Sequence, residues 1–131
     1  MAVFATGASA QETTENPTLT LELNRASASD SGGCQVVFFA QNGLGVDVDD
    51  VTWRLAVLDN EGVFRNLLSL PLGSLSKGKR RIVQYNLPSP CEDFSEIIVN
   101  EVATCEVDGG ASNQCMTQLD ARSRADIAFG I

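Results

Sequence analysis

Apolar and polar residues alternate along much of the chain. Residues 19–23 carry leucine at every second position, and residues 51–57 carry Val, Trp, Leu and Val at every second position. This period of two is typical of a strand with one buried face. Residues 34–41 are β-branched and aromatic on both sides, as in a central strand. The predicted strands are 18–24, 34–41, 51–59, 63–70, 80–87, 96–105 and about 118–129.

The spacing of these strands predicts the fold class. Short strands at regular intervals, joined by turns rich in Gly, Pro, Asn and Asp, favour an all-β, two-sheet antiparallel immunoglobulin-like sandwich of about seven strands. A chain of 131 residues has room for one core. We therefore assign residues 18–131 to a single β-sandwich domain.

The N-terminal residues have the composition of a processed leader. Ala8-Ser9-Ala10 follows an apolar stretch and has the small-x-small pattern of a signal-peptidase site, although a basic n-region is absent. We interpret residues 1–10 as a remnant of an export signal and residues 11–17 as a flexible arm. An alanine-rich tail is the alternative. No other stretch approaches the ~18 apolar residues of a membrane span.

Charge and composition exclude several classes of function. Seventeen acidic residues oppose nine basic ones, and the formal net charge of −8 disfavours binding to nucleic acid. The chain contains no histidine, which removes Ser-His-Asp and Cys-His catalysis and imidazole metal ligands. The sequence therefore predicts a protein that is not an enzyme.

Four cysteines agree with export, because an even number in an oxidising compartment normally forms disulfides. In the predicted sandwich Cys34 and Cys91 lie at one end, and Cys105 and Cys115 lie at the other, about 20 Å away. A bridge needs Cα atoms within about 7 Å, which favours Cys34–Cys91 and Cys105–Cys115. The alternatives are an antibody-like Cys34–Cys105 bridge packed on Trp53 and a zinc site of four thiolates.

Part of the chain resembles a known group of modules. Residues 38–42 (Phe-Phe-Ala-Gln-Asn), 51–62 and the Leu-x-x-Gly of 75–78 are similar to FxLYD-type exported β-sandwich modules of bacteria, over about residues 34–88. Leu58 replaces the tyrosine expected there, and the cysteines are not a feature of that group. The chain also resembles small uncharacterised exported proteins of Gram-negative bacteria. These resemblances imply a β-sandwich outside the cytoplasm and carry no catalytic residue.

An acidic run precedes the third predicted strand. Asp47, Asp49 and Asp50 lie in a loop where carboxylate oxygens suit calcium, the only cofactor that the sequence suggests. The pattern of an EF-hand loop is missing. The alternative interpretation is that these aspartates solubilise the loop and end the strands.

The basic cluster of Lys77, Lys79, Arg80 and Arg81 falls between two predicted strands. It is a candidate binding patch for an anionic envelope polymer or for the acidic face of an envelope protein. Neutralisation by the acidic loop is the alternative, and alternation places Arg81 on the inward side with Val83.

These observations together predict a non-enzymatic exported protein, periplasmic or secreted, that binds or scaffolds another envelope protein or polymer. Its binding surface would be the loop end formed by residues 43–50, 71–81 and 106–114. The alternatives are a calcium-dependent β-sandwich module and a carboxylate-based hydrolase of envelope polymers. Pairing of an edge strand, 18–24 or 118–129, with another subunit is a further structural alternative.

Overall fold

A computed structural model describes residues 17–131, and strands dominate this part of the chain. The predicted signal remnant and all of the arm before Pro17 lie outside the described residues. The strands are β1 (Thr18–Ala28), β2 (Cys34–Gly43), β3 (Val48–Asp59), β4 (Phe64–Leu75), β5 (Arg80–Leu87), β6 (Phe94–Val107), β7 (Gly110–Ala111), β8 (Leu119–Ser123) and β9 (Ala128–Gly130). A 3₁₀ turn spans Cys91–Asp93 and a single helical turn spans Gln114–Thr117.

The strands form two sheets around one core. The four-stranded sheet has the order β5-β2-β1-β8, and the five-stranded sheet has the order β4-β3-β6-β7 with β9 also paired to β6. The prediction of an all-β, two-sheet sandwich is confirmed. Alternating residues of β1, β2, β3 and β6 fill the space between the sheets. Within residues 17–131, no helix has the length and apolarity that crossing a membrane requires.

The end of the chain differs from the prediction of one antiparallel strand over 118–129. It contributes β8, which runs parallel to β1, and β9, which runs parallel to β6 in the other sheet. The Ser123 hydroxyl accepts a hydrogen bond from the Ala125 N–H and lies 2.7 Å from the Ile127 carbonyl. This serine turn redirects the backbone from one sheet to the other. The prediction of a wholly antiparallel fold with about seven strands is therefore wrong at this point.

Several other strands are also longer than predicted, and β1 and β4 are extended the most at one end. β1 continues past residue 24 to Ala28 through an irregularity between Leu23 and Arg25. β4 continues through Pro71 to Leu75, because Leu72 and Leu75 are buried and extend the apolar pattern. The predicted crossing over 71–78 is thus reduced to a tight turn at 76–79.

Trp53 lies in the core, as its alternation with polar residues predicts. Its side chain is fully buried, and its Nε1–H donates to the Cys115 carbonyl at 2.9 Å. Phe38 of one sheet meets Phe129 of the other edge to face, with ring centroids 5.5 Å apart. The ring contact joins the two sheets inside the core, and the Trp53 hydrogen bond holds the helical turn against it.

A disulfide braces each end of the sandwich. Cys34 is bonded to Cys91 at the lower end, where β2 begins, and their Cα atoms are 4.7 Å apart. Cys105 is bonded to Cys115 at the upper end, where β6 finishes, with Cα atoms 6.0 Å apart. These are the pairs that the distance argument favours. Both bridges indicate an oxidising environment.

Candidate functional surface

The loops of the upper end are held by one buried amide. Asn42, at the end of β2, is fully buried. Its Nδ2 donates to the carbonyls of Val46 and Leu75, both at 2.8 Å, and its Oδ1 accepts from the Leu44 N–H at 2.9 Å. Because Leu75 belongs to the other sheet, Asn42 fixes the β2–β3 loop and the end of β4 relative to each other.

The candidate calcium ligands anchor neighbouring loops. Asp47 Oδ1 accepts the backbone N–H of Lys77 at 2.8 Å, and Asp49 Oδ2 accepts that of Gly109 at 2.7 Å. Asp50 lies on β3 opposite Glu106 in the sheet register. Among the described residues, no three His, Cys, Asp or Glu side chains gather into a group that suits a metal ion. The three aspartates are therefore spread over the loop end instead of converging on one point.

The predicted basic patch divides into two parts. Lys77, Lys79 and Arg80 are exposed and form no ion pair with any residue from 17 to 131. Arg81 points inward instead, and its guanidinium donates to the carbonyls of Leu72 and Ser74 on β4. Arg81 thus links the edges of the two sheets. Its charge does not contribute to the exposed patch, in agreement with its alternation with Val83.

The exposed basic residues Lys77, Lys79 and Arg80, which we call the basic turn, adjoin the outer surface of the four-stranded sheet. In the sheet register Arg80 lies beside Gln41 and Gln41 beside Thr20. Residues that are partners on neighbouring strands point to the same side of the sheet, so a chain of such partners defines one surface. We call it the polar face, and its members are Thr20, Glu22, Arg25, Val37, Phe39, Gln41, Arg80, Ile82, Gln84, Asp120, Arg122 and Arg124.

Positive charge dominates the polar face. Its two carboxylates are each paired with an arginine: Glu22 accepts from Arg124 Nε at 3.0 Å, and Asp120 contacts Arg122. The hydrogen bond and charge of Asp120 raise the pKa of Arg122 above its ordinary value. Arg25 and Arg80 have no ion-pair partner within the described residues.

A depression of about 580 Å³ crosses the middle of this face. Phe39 lies in it half-buried, between Glu22 on one side and Ile82 on the other. Asn24, Gln41 and the two paired arginines form its rim. The depression therefore combines an aromatic surface with planar hydrogen-bonding groups and cations.

The outer surface of the five-stranded sheet has a different chemistry. In the register Leu67 lies beside Ala56 and Ala56 beside Ile98, while Phe64 lies beside Leu58. We call these five residues the apolar face. Phe64 and Leu67 are 55% and 53% exposed to solvent. Large apolar side chains that are exposed next to each other mark a candidate contact surface.

The lower end contains a cavity of about 470 Å³ next to the Cys34–Cys91 bridge. Glu92 and Asp126 contribute two carboxylates to its lining, and Phe94 contributes an aromatic ring. Both carboxylates are exposed to solvent. A smaller cavity of about 250 Å³ is also lined by acidic residues, Asp59, Glu61 and Asp93, but it contains no aromatic ring.

Comparison with known proteins supports the fold. No family model matches the chain, and no curated protein matches it. A solved structure described as the structural characterization of IrmA from Escherichia coli is similar, with a TM-score of 0.62 and 13% sequence identity. The match covers 81% of this chain and 92% of that chain. At this identity the likeness shows a shared fold and nothing about ligands.

Sequence reasoning located the basic turn and missed both sheet faces. Arg25, Arg122 and Arg124 are scattered in the chain, and only the register places them on the surface of Arg80. One signal was available: Phe39 follows Phe38, and in a strand one of two adjacent aromatics must point outward.

Proposed function

We propose that the protein is an exported β-sandwich, periplasmic or secreted, that binds an anionic polymer of the cell envelope without catalysis. The binding surface is the polar face together with the adjoining turn that carries Lys77 and Lys79. The observation that carries the proposal is the segregation of charge: four arginines lie on one face of a chain whose net charge is −8.

The arginine side chains supply the attraction. Arg25 and Arg80 keep their full charge available because no carboxylate within the described residues pairs with them. The face spans four strands, or about 14 Å at the usual strand spacing. A repeating anion that lies across it meets several guanidinium groups at once, whereas a small anion meets one.

The centre of the face supplies contacts beyond charge. Phe39 offers a ring on which the apolar side of a sugar can pack, and Gln41 and Gln84 offer amides that donate and accept. This combination favours an acidic polysaccharide over a compact acidic protein.

The test uses retention on immobilised dextran sulfate, with unmodified dextran as the uncharged reference. We expect the wild-type protein to bind the sulfated matrix at low salt and elute as salt rises. The double variant Arg25→Gln/Arg80→Gln should lose at least about tenfold in affinity, since each lost charge-assisted contact costs on the order of 1 kcal/mol.

A matched control removes the same charge from elsewhere. Arg54→Gln/Arg65→Gln changes the net charge by the same amount but alters only the five-stranded sheet, where both arginines face carboxylates. The control should bind like the wild type. Equal losses in both variants, or no retention of the wild type, would overturn the proposal. Competition by envelope extract that disappears after protease treatment would assign the face to an acidic protein.

Hydrolysis of an envelope polymer is a second candidate, and the cavity at the lower end favours it. Most glycosidases act through a pair of carboxylates, and an aromatic ring offers a surface on which a sugar can pack. Release of reducing ends from an envelope polysaccharide, abolished by both Glu92→Gln and Asp126→Asn, would support it. Turnover that survives either substitution, or no turnover, would exclude this cavity as a catalytic site.

A further inference from the structure

The edges of the two sheets are protected to very different degrees. Unpaired edge strands invite pairing with other chains, and proteins usually block them with charge, shortness or irregularity. β5 begins with Arg80 and Arg81, β8 is short and carries Asp120 and Arg122, and β7 and β9 have two and three residues. Each of these edges has a recognisable defence.

β4 is less protected along residues 64–70, because Pro71 and the carbonyls bound by Arg81 lie beyond this stretch and one ladder irregularity lies near its start. It has 12 residues, none of them acidic, and Arg65 is its one charged residue. It pairs with β3 on one side and with no strand of the described chain on the other. Val63, Phe64 and Leu67 beside this edge are each more than half exposed. Pro71 has no N–H to donate, which limits new pairing to residues 64–70.

The charge of Arg65 is already engaged. Its guanidinium lies 3.8 Å from the Asp59 carboxylate, donates to Ser89 Oγ at 3.3 Å and covers the ring of Phe94. Hydrogen bonds from the N–H groups of Val63 and Glu61 lower the pKa of Asp59, so this carboxylate stays charged opposite Arg65. Arg65 is therefore held toward the lower end of the sandwich, and its charge does not block a strand that approaches the β4 edge.

We propose that the β4 edge binds a second copy of this chain, so that two five-stranded sheets join across a two-fold axis. Antiparallel pairing about Leu67 places Leu67 opposite its own copy, Asn66 opposite Leu68 and Arg65 opposite Ser69. Because the irregularity beside Leu58 turns Phe64 outward, Phe64 lies next to this ladder and not opposite the inward-facing Leu70. No like charges meet in this register, and each copy covers the exposed Leu67 of the other.

The charge distribution selects a second copy as the occupant. A self-contact through the polar face would bring arginines against arginines, and one through the loop end would bring Asp49 and Asp50 near their own copies. β4 carries no acidic residue, so two copies of a chain of net charge −8 can meet at this edge without carboxylates opposite each other. The joined sheets also bring the two apolar faces together into one continuous surface.

Sedimentation equilibrium of the full chain over a wide range of concentrations tests the proposal. We expect reversible dimers for the wild type, and a dissociation constant at least about tenfold higher for Leu67→Lys, which places two ammonium groups opposite each other. Ile82→Lys is the matched control. It replaces a 64% exposed apolar residue on the edge strand of the other sheet, and its dimer should be unchanged.

Hydrogen exchange gives a second measurement that does not depend on a variant. Amides within 64–70 should become protected as the wild-type concentration rises, and amides of β5 should not. A monomer at every concentration, or equal weakening by both lysine variants, would overturn the proposal. So would protection of 64–70 that appears only with another envelope protein, which would assign the edge to that partner.

This inference is independent of the proposed polymer binding. Leu67→Lys leaves every residue of the polar face in place, so its retention on dextran sulfate should equal that of the wild type. Near-ultraviolet circular dichroism of the buried Trp53 verifies that each variant is folded.

Discussion

The outer surfaces of the two sheets are built on the same alternation but expose different chemistry. On the four-stranded sheet the polar face presents four arginines and two glutamines on the same side as Phe39. On the five-stranded sheet they include Leu58, Phe64, Leu67 and Ile98. Both sheets bury equivalent inward residues in one core. The core therefore determines the fold, and the outward residues separate the two contacts that we propose: charge for a polymer, and apolar edge pairing for a copy.

The largest effect should come from the group that couples the two sheets. Asn42→Ala leaves the Leu44 N–H and two carbonyls without their partner, and we expect a loss of about 3 kcal/mol in the free energy of unfolding. Urea unfolding measures this. Gln41→Ala, one residue away and exposed, should change stability by less than about 0.5 kcal/mol. Similar losses for both would show that Asn42 does not connect the sheets.

Phe39 tests whether the polar face acts through more than charge. Phe39→Ala keeps every arginine, and we expect affinity for an acidic polysaccharide to fall roughly fivefold because ring packing is lost. Isothermal titration with alginate measures it, at several salt concentrations. Phe64→Ala removes an aromatic residue from the other surface and should have no effect. An unchanged affinity for Phe39→Ala would show that the polar face binds the polysaccharide through charge alone.

Glu22 should affect stability and binding in opposite directions. Its carboxylate is nearly buried and accepts from Arg124 and Asn24. Glu22→Gln should cost about 1 kcal/mol of stability, since Arg124 is itself exposed and the pair is screened. The same change releases Arg124 and should strengthen retention on dextran sulfate. A weaker retention would mean that Glu22 belongs to the binding surface as an acceptor.

The dependence on pH should be small. The cations of the polar face are arginines, and the pKa of Arg122 lies above its ordinary value because Asp120 stabilises its charged form. A raised pKa in a base means that charge is lost only at still higher pH. Retention of the wild type should therefore be constant from about pH 5 to pH 9. A fall within that window would point to carboxylates as the determining groups.

Calcium should have the smallest effect. Asp47 and Asp49 each accept a backbone N–H from a different loop, and the described residues form no metal-binding cluster. We expect the melting temperature to be the same with and without millimolar calcium. A rise that Asp49→Asn abolishes would establish the calcium-dependent alternative. Asp30→Asn, in the loop at the other end, is the control for a general charge effect.

The sequence predicted most of the fold because strand periodicity and turn residues are local signals. Cysteine pairing followed from the ends of the strands, since a bridge cannot span the length of a sandwich. The split of the last strand was not predictable in this way. Residues 118–129 alternate as one strand would, and the local hydrogen bonds of Ser123 compete with that pattern. The pairing of β8 with β1 and of β9 with β6, which the local sequence does not reveal, favours the turn.

The candidate surface was harder to predict because it depends on register. Lys77, Lys79 and Arg80 are adjacent in the chain, so their clustering was visible. Arg25 and Arg122 reach the same surface only through pairings between distant strands. The irregularity in the β3–β4 ladder between Val57 and Leu58 also changes which β4 residues face outward, so Phe64 and Leu67 share a face despite odd spacing.

The parallel strands β8 and β9 affect the order in which the protein can fold. β8 pairs with β1, its partner from the start of the domain, and β9 supplies an outer strand of the second sheet. Neither sheet is complete until β8 and β9 have been synthesised. Such long-range closure slows folding. A polypeptide emerging from the ribosome consequently keeps both sheets unfinished until residues 119–130 have left it.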